Sequence, residues 1–205
     1  FLERALAIAE KVNGSEHPAT AAAAASLGGN YRDLGRQAQA LPLYQRALAI
    51  SEKRLGPDHP VTGDRLHNLG SLYTDMGRYG EALPLFQRAL AIAEKADGPE
   101  HPSTGNTVSE LAGLYDTLGR YAEALPLYLR ALTIAQKSFG PDHPSTGAAL
   151  ARLGSAYESS ARLEEAVVLY RQALAIAEKA HGPDHPETGD AVANLAGGLQ
   201  AMSRY

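Results

Sequence analysis

Apolar residues recur along the chain at intervals of three and four, the spacing that places them on one face of an α-helix. In the segment that begins at Pro60 they are Leu66, Leu69, Leu72, Tyr73 and Met76. After Gly77 the same spacing resumes with Leu83, Phe86, Ala89, Leu90 and Ile92–Ala93. The pattern predicts two amphipathic helices joined by a short turn, which we call helix A and helix B.

This pair of helices is one copy of a repeat. The dipeptide His-Pro recurs at a constant step of 42 residues, with its histidine at His17, His59, His101, His143 and His185. An arginine recurs at the same step, at Arg36, Arg78, Arg120, Arg162 and Arg204. A constant period without insertion or deletion indicates stacked copies of one supersecondary unit.

Proline and glycine mark the ends of the predicted helices. Asp58 or His59 can cap helix A, and Pro60 suits its first turn, where a missing N–H costs nothing. Pro84 lies in or just after the first turn of helix B, where a lost donor costs little. Gly98 suits a left-handed position after helix B, and the proline that follows it prevents the helix from continuing.

The repeat phase predicts ten helices in a single all-α solenoid over residues 1–205. We expect a helix B at about 1–12, A–B pairs near 18–55, 60–97, 102–139 and 144–181, and a last helix A at 186–203. The sequence opens inside a helical pattern, so we expect it to be a fragment of a longer array. A helix B at one end and a helix A at the other predict head-to-tail self-association.

Composition narrows the class of function. Ala and Leu supply most of the apolar residues, and both are strong helix formers. The formal net charge is −4 with acids and bases mixed along the chain, which argues against nucleic acid and anionic membrane partners. Cysteine is absent, so thiolate zinc sites and cysteine nucleophiles are excluded. Its absence fits the reducing cytoplasm, where we expect the protein.

The residues of the repeat resemble a known family. They match the tetratricopeptide signature in order and spacing at Leu66, Leu69, Gly70, Tyr73, Gly77, Tyr79, Ala82, Phe86 and Ala89. The ordinary tetratricopeptide unit has about 34 residues. The longer unit, with "EALPLFQRALAI" and "GPDHP", is similar to the repeats of kinesin light chain and its bacterial relatives.

The resemblance implies a right-handed superhelix of antiparallel helix pairs, with helix A on the concave side and helix B outside. It also implies a protein–protein interaction scaffold that binds a peptide or protein in the groove lined by A helices. Transferred by repeat phase, the groove residues are Arg32, Asp33, Asp64, His67, Asn68, Ser71, Asp75, Asn106, Glu110, Asp116, Arg152, Ser155, Glu158, Asp190 and Asn194. Acids outnumber arginines among them, which favours basic segments as partners.

The same residues are less consistent with a metal site, a nucleic-acid site or a catalytic site. The recurring histidines could form a metal ladder, but copies one repeat apart lie farther apart than the ligands of one ion, and capping explains them. The recurring tyrosines could stack bases, but no basic groove accompanies them. No spaced catalytic motif or phosphate loop occurs, so we expect neither enzymatic activity nor a cofactor.

Two points stay open at this stage. The chain could instead be a structural spacer or self-assembling array with no peptide ligand, or the sensor arm of a larger signalling protein. The fourth A–B pair also departs from the others, because Ala161 replaces the turn glycine and Val168 replaces a proline. We expect Ala161 to be strained and the fourth pair to be the softest internal unit.

Overall fold

The computed structural model describes residues 1–204, and that part of the chain contains ten α-helices and no strand. The helices are α1 (Leu2–Asn13), α2 (Pro18–Asp33), α3 (Gln37–Leu55), α4 (Pro60–Asp75), α5 (Tyr79–Ala96), α6 (Pro102–Thr117), α7 (Tyr121–Phe139), α8 (Pro144–Ser159), α9 (Leu163–His181) and α10 (Pro186–Met202). Even-numbered helices are of type A and odd-numbered helices of type B. The expected all-α class and helix pairs are confirmed.

The chain divides into two units, which we describe separately. The first runs from Phe1 to Gly98 and contains α1–α5; the second begins at Pro99 and contains α6–α10. Within each unit every helix packs against the helices before and after it in sequence. Within their own units α2, α4 and α8 each lie between two helices B, whereas among the helices B α6 packs against α7 alone and α10 against α9 alone.

The glycine that ends helix B takes a conformation that only glycine adopts. Gly14, Gly56, Gly140 and Gly182 have φ between 86° and 104° and ψ between 159° and 167°. These angles combine a positive φ with an extended ψ, a region closed to residues with a Cβ. The expectation of a left-handed helical turn was therefore right about the sign of φ and wrong about ψ.

Histidine and threonine complete this loop. His59 Nδ1 accepts a hydrogen bond from the Val61 N–H at 3.2 Å, and the other four repeated histidines cap their helices in the same way. Two residues into helix A, a fully buried threonine donates its hydroxyl back to the carbonyl of the loop glycine at 2.7–2.8 Å. These pairs are Thr20–Gly14, Thr62–Gly56, Thr146–Gly140 and Thr188–Gly182.

The turn from helix A to helix B is a Schellman motif. In the second pair the Arg78 N–H bonds to the Tyr73 carbonyl at 2.8 Å, and the Gly77 N–H bonds to the Thr74 carbonyl at 2.9 Å. The Arg78 guanidinium also lies 4.5 Å from the centre of the Tyr73 ring and pairs with Glu81. The repeated arginine therefore fixes the start of helix B.

Small residues on helix A allow helix B to approach closely. An ideal Cβ on Gly154 would lie 2.8 Å from Cε1 of Tyr170, and one on Gly147 would lie 3.2 Å from Cγ2 of Ile176. Three glycines early in helix A make room for an isoleucine of helix B in this way, namely Gly63, Gly105 and Gly147. The recurring aromatic residues of helix B, such as Tyr170, are buried packing residues.

The fourth A–B turn is strained, as the sequence predicts. Ala161 has φ 61°, and it is the one non-glycine residue with positive φ in the described part of the chain. The turn keeps the Schellman bonds of the other pairs, with the Arg162 N–H on the Tyr157 carbonyl at 2.8 Å. Ser160 adds a side-chain bond to the Ala156 carbonyl at 2.9 Å. The fourth turn thus keeps the Schellman geometry although Ala161 stands where the other turns have glycine.

Replacing Ala161 with glycine should raise the free energy of unfolding by about 1 kcal/mol, because a left-handed φ costs an L-residue about 1–2 kcal/mol. Gly119→Ala, one repeat earlier at φ 68°, is the matched control and should lower it by a similar amount. No atom lies within 4 Å of the Cβ that this change adds, so the backbone alone sets the cost.

Urea unfolding of both variants measures these changes. Amide hydrogen exchange should also be faster over residues 158–166 than over residues 116–124 in the parent chain, and Ala161→Gly should reduce that difference. An Ala161→Gly protein of unchanged stability, with equal exchange in the two turns, would show that the fourth turn stores no strain.

Candidate functional site

The groove residues predicted from the sequence lie on α2 and α4 in the first unit. Asp33, Asp64 and Asp75 are exposed, whereas His67 and Asn68 are half-buried. Ser71 is 4% exposed and is a packing residue in this structure, and its role as a contact residue stays a prediction.

The arginine of this face is committed to an ion pair. Arg32 Nε on α2 donates to Asp75 Oδ2 on α4 at 2.5 Å, and Arg32 Nη2 lies 3.4 Å from Asp75 Oδ1. Gln37 donates to the backbone carbonyl of Asp75 at 3.0 Å. The bond joins neighbouring A helices, and the Arg32 guanidinium is therefore not free to bind an acidic group of a ligand.

In the second unit the predicted residues lie on α6, α8 and α10. Asn106, Ser155, Asp190 and Asn194 are exposed, and Asp116 and Glu158 are half-buried. The structure places all the predicted groove residues on A helices, and within this unit it joins only Arg152 and Glu110 directly.

Arg152 is the second paired arginine. Its Nη1 atom on α8 donates to Glu110 Oε1 at 3.1 Å and to Ser109 Oγ at 3.0 Å, both on α6. Each unit therefore uses its one groove arginine to tie two A helices together. Five of the seven groove acids remain without an arginine partner in this set, namely Asp33, Asp64, Asp116, Glu158 and Asp190.

Two of these acids interact with buried tyrosines of helix B. Burial raises the pKa of the Asp116 carboxyl, and its Oδ1 atom is buried with no hydrogen-bond partner among residues 1–204. The pKa of Tyr128 rises to about 12, chiefly because the phenol is buried and secondarily because Asp116 is negative. Glu158 Oε2 accepts from the Tyr170 hydroxyl at 2.8 Å. Both phenols therefore remain neutral donors at physiological pH.

A cleft of about 210 Å³ opens between α8, α9 and α10. Its walls are small and apolar, including Gly147, Ala151, Ala177 and Ala191, with Ile176 at the base. Glu187, Asp190 and Asn194 of α10 line it as well, together with His181 at the end of α9. The cleft therefore combines apolar walls with carboxylates.

Repeated pairs of helices like these are also found in known proteins. A family model for the tetratricopeptide repeat matches residues 1–53, 27–95, 64–137 and 103–179 in overlapping segments. The chain belongs to the tetratricopeptide repeat family. Members of this family generally mediate protein–protein interactions.

Solved structures resemble this tetratricopeptide repeat chain closely. A protein of Podosopora anserina described as a kinesin light chain, with nearly identical TPR-like repeats, is 31% identical with a TM-score of 0.79; the match covers 92% of this chain and 89% of that one. BtubC (BKLC) from P. vanneervenii shares the fold at 22% identity and a TM-score of 0.81, over 98% and 80% of the two chains. No curated protein sequence gives a significant match.

The histidines of this tetratricopeptide repeat chain come together once in the described residues with a carboxylate, as His181, His185 and Glu187. The two rings are stacked, with centroids 4.7 Å apart and planes 20° apart. An imidazole binds a metal through a lone pair in its ring plane, so two nearly parallel stacked rings cannot both direct that lone pair at one ion. His185 Nδ1 is also engaged as the helix cap. The arrangement is a stacked pair in which His185 caps α10 and His181 Nε2 lies 2.8 Å from Glu187 Oε2.

Sequence reasoning missed a set of arginines on helix B. Arg46 donates to Glu10 at 2.6 Å and to the Ser15 carbonyl at 3.1 Å, and Arg88 makes the equivalent bonds to Glu52 and the Pro57 carbonyl. Each clamps the preceding helix B and its loop. The 42-residue repeat could have revealed these contacts, because the two arginines are 42 residues apart in the sequence and so are their partners.

No helix in residues 1–204 of this tetratricopeptide repeat chain has both the length and the apolarity required to cross a membrane.

Proposed function

We propose that this tetratricopeptide repeat chain is a scaffold that binds lysine- and arginine-rich segments of other proteins along the A helices of each unit. The observation that carries the proposal is the pairing of both groove arginines, Arg32 with Asp75 and Arg152 with Glu110. With these two cations engaged, the groove set presents a surplus of carboxylates. Complementary charge favours a basic partner and raises its rate of association.

Two of the acids are well placed for such a partner. Asp64 on α4 and Asp190 on α10 are exposed, and their carboxylates make no hydrogen bond or ion pair within residues 1–204. Because these carboxylates are solvated, each adds only modestly to affinity, and salt weakens the attraction. Several such contacts along one face are needed for useful binding.

The same charges disfavour an acidic ligand. A peptide carboxylate bound to an A helix needs a free cation or a set of amide donors. Here both groove arginines already donate to carboxylates of a neighbouring A helix. A carboxylate ligand would have to displace Asp75 or Glu110, so we expect such peptides to bind more weakly than basic ones.

Binding of charge-scrambled peptides tests this. Basic peptides should bind the chain at least about tenfold more tightly than acidic peptides of equal length, and raising the ionic strength should reduce that preference. Asp64→Asn together with Asp190→Asn should weaken binding of the basic peptides by about threefold to tenfold, because two exposed charges are lost. Fluorescence anisotropy of labelled peptides provides the measurement.

The matched control is Glu164→Gln together with Glu178→Gln, which removes the same charge from exposed positions of α9, a helix of type B. These changes should leave binding within about twofold. A peptide array dominated by acidic sequences would contradict the proposal, as would equal losses from the two double variants.

A second proposal, self-association, rests on apolar residues exposed on α10 and α1. Val192 on α10 is 49% exposed, although its counterpart Leu150 on α8 is covered and 4% exposed. Ile8 on α1 is 53% exposed, whereas its counterpart Ile50 on α3 is 6% exposed. Contact between α10 of one copy and α1 of another would bury both sets in the manner of an internal A–B pair.

Sedimentation velocity over a range of concentrations tests this contact. The chain should form concentration-dependent oligomers, and Val192→Glu should abolish them because it places a charge in the apolar contact. Ala193→Glu adds the same charge at an exposed neighbouring residue of α10 and should leave association unchanged. A strictly monomeric parent chain at high concentration would rule the contact out.

A further inference from the structure

We propose that the cleft between α8, α9 and α10 is a subsite for a single arginine side chain of the bound partner. The proposal rests on the proposed function and deepens it, because it says which residue of a basic segment is recognised and where. The cleft encloses about 210 Å³ and lies within the second unit.

The lining of the cleft matches the two parts of an arginine side chain. Gly147, Ala151, Ala177 and Ala191 form a small, apolar wall suited to the three methylene groups of the stem. Asp190 and Glu187 are exposed and border the cleft. Glu187 Oε2 lies 2.8 Å from Nε2 of His181, so a guanidinium that emerges from the cleft meets the Asp190 carboxylate and shares Glu187 with His181. Guanidinium is planar and weakly hydrated, which suits it to such a half-buried pair better than an ammonium.

The repeat itself shows what occupies this place elsewhere in the second unit. One repeat earlier, at the junction of α6, α7 and α8, the residue equivalent to Asn194 is Arg152. Arg152 spans that junction and donates to Ser109 Oγ at 3.0 Å, and Ser109 is the equivalent of Ala151 in the cleft. An arginine of the chain therefore lies across the earlier junction.

The first unit offers a second example. At the junction of α2, α3 and α4 the residue equivalent to Ala191 is Arg65. Arg65 is half-buried, and its Nε atom is shielded from solvent without a hydrogen-bond partner in residues 1–204. The scaffold thus accepts an arginine stem and the inner edge of its guanidinium at this position.

The junction of α8, α9 and α10 differs from both. It carries Ala191 where the first unit has Arg65, and Asn194 where the earlier junction has Arg152. It also carries an acid, Glu187, at a position where the other A helices have Ala19, Val61, Ser103 and Ser145. The intramolecular arginine is missing, and an extra carboxylate is present, so an arginine from a partner fits this cleft in both shape and charge.

Methyl NMR of the 205-residue chain with a short probe tests the subsite. The probe is the tripeptide Gly-Arg-Gly, acetylated and amidated, and the comparison probes replace arginine with citrulline or lysine. The arginine probe should shift the methyl signals of Ala151, Ala177 and Ala191. Citrulline, which has the same shape without the charge, should bind at least about tenfold more weakly, and lysine should bind more weakly than arginine.

In two variants an arginine side chain of the protein itself fills the cleft. Ala191→Arg reproduces the residue type of Arg65, and Asn194→Arg reproduces that of Arg152, so each places an arginine that the repeat accommodates elsewhere. Both should reduce affinity for the arginine probe by at least about tenfold. The control is Ala193→Arg, which adds the same charge at an exposed residue outside the cleft and should change affinity less than about threefold.

The subsite proposal fails if the methyl shifts are spread over the acidic surface, if citrulline binds as well as arginine, or if all three variants weaken binding equally. The experiments distinguish failure of the subsite from failure of the proposed function. A parent chain that prefers long basic peptides while Ala191→Arg and Asn194→Arg leave the arginine probe unaffected retains the proposed function and loses the subsite. A chain that binds the arginine probe in the cleft and prefers acidic peptides retains the subsite and loses the proposed function.

Discussion

The hydrogen bond from a buried threonine to the carbonyl of the loop glycine sets the junction between one helix pair and the next. The glycine conformation, with positive φ and extended ψ, turns the glycine carbonyl back toward the first turn of helix A, where it accepts a hydrogen bond from the threonine hydroxyl. In that contact Thr146 is 0% exposed. The Gly140 carbonyl also accepts the His143 N–H, but at 3.5 Å, so the 2.7 Å threonine bond is the stronger of the two. Packing of helix A on the preceding helix B therefore depends on this pair.

Because the junction is made by loop and first-turn residues, it does not use the exposed carboxylates of helix A such as Asp64 and Asp190. The histidine caps, the Schellman turns and the helix B arginines likewise bond to backbone or to neighbouring B helices. The face of helix A that remains is where the copies differ most in charge. Two arginine–carboxylate pairs join A helices on it, and the other acids of the face give each unit its proposed preference for basic ligands.

Sequence reasoning recovered what local rules determine. Helix ends followed from proline, histidine and glycine at fixed phase, and the strain at Ala161 followed from the glycine that the other turns contain. Tertiary features were not recoverable in this way. The pairing of Arg32 with Asp75 depends on how two helices approach each other, and Ser71 is buried by packing that its helical phase does not specify. The helix A threonines recur every 42 residues, but their hydrogen bonds to the loop glycines depend on the loop conformation, which helical periodicity does not predict.

The most direct test of this account is the free energy of unfolding of Thr146→Val, measured in urea. Valine keeps the shape of the side chain and removes the 2.7 Å bond to the Gly140 carbonyl, which then keeps only the longer bond from the His143 N–H at 3.5 Å. The loss should be about 1 kcal/mol, the net contribution of one hydrogen bond. Thr133→Val is the control, because the Thr133 hydroxyl is exposed and bonds only within its own helix; we expect a change within about 0.5 kcal/mol. Equal stability of the two variants would contradict the claim that the threonine–glycine bond holds the repeats together.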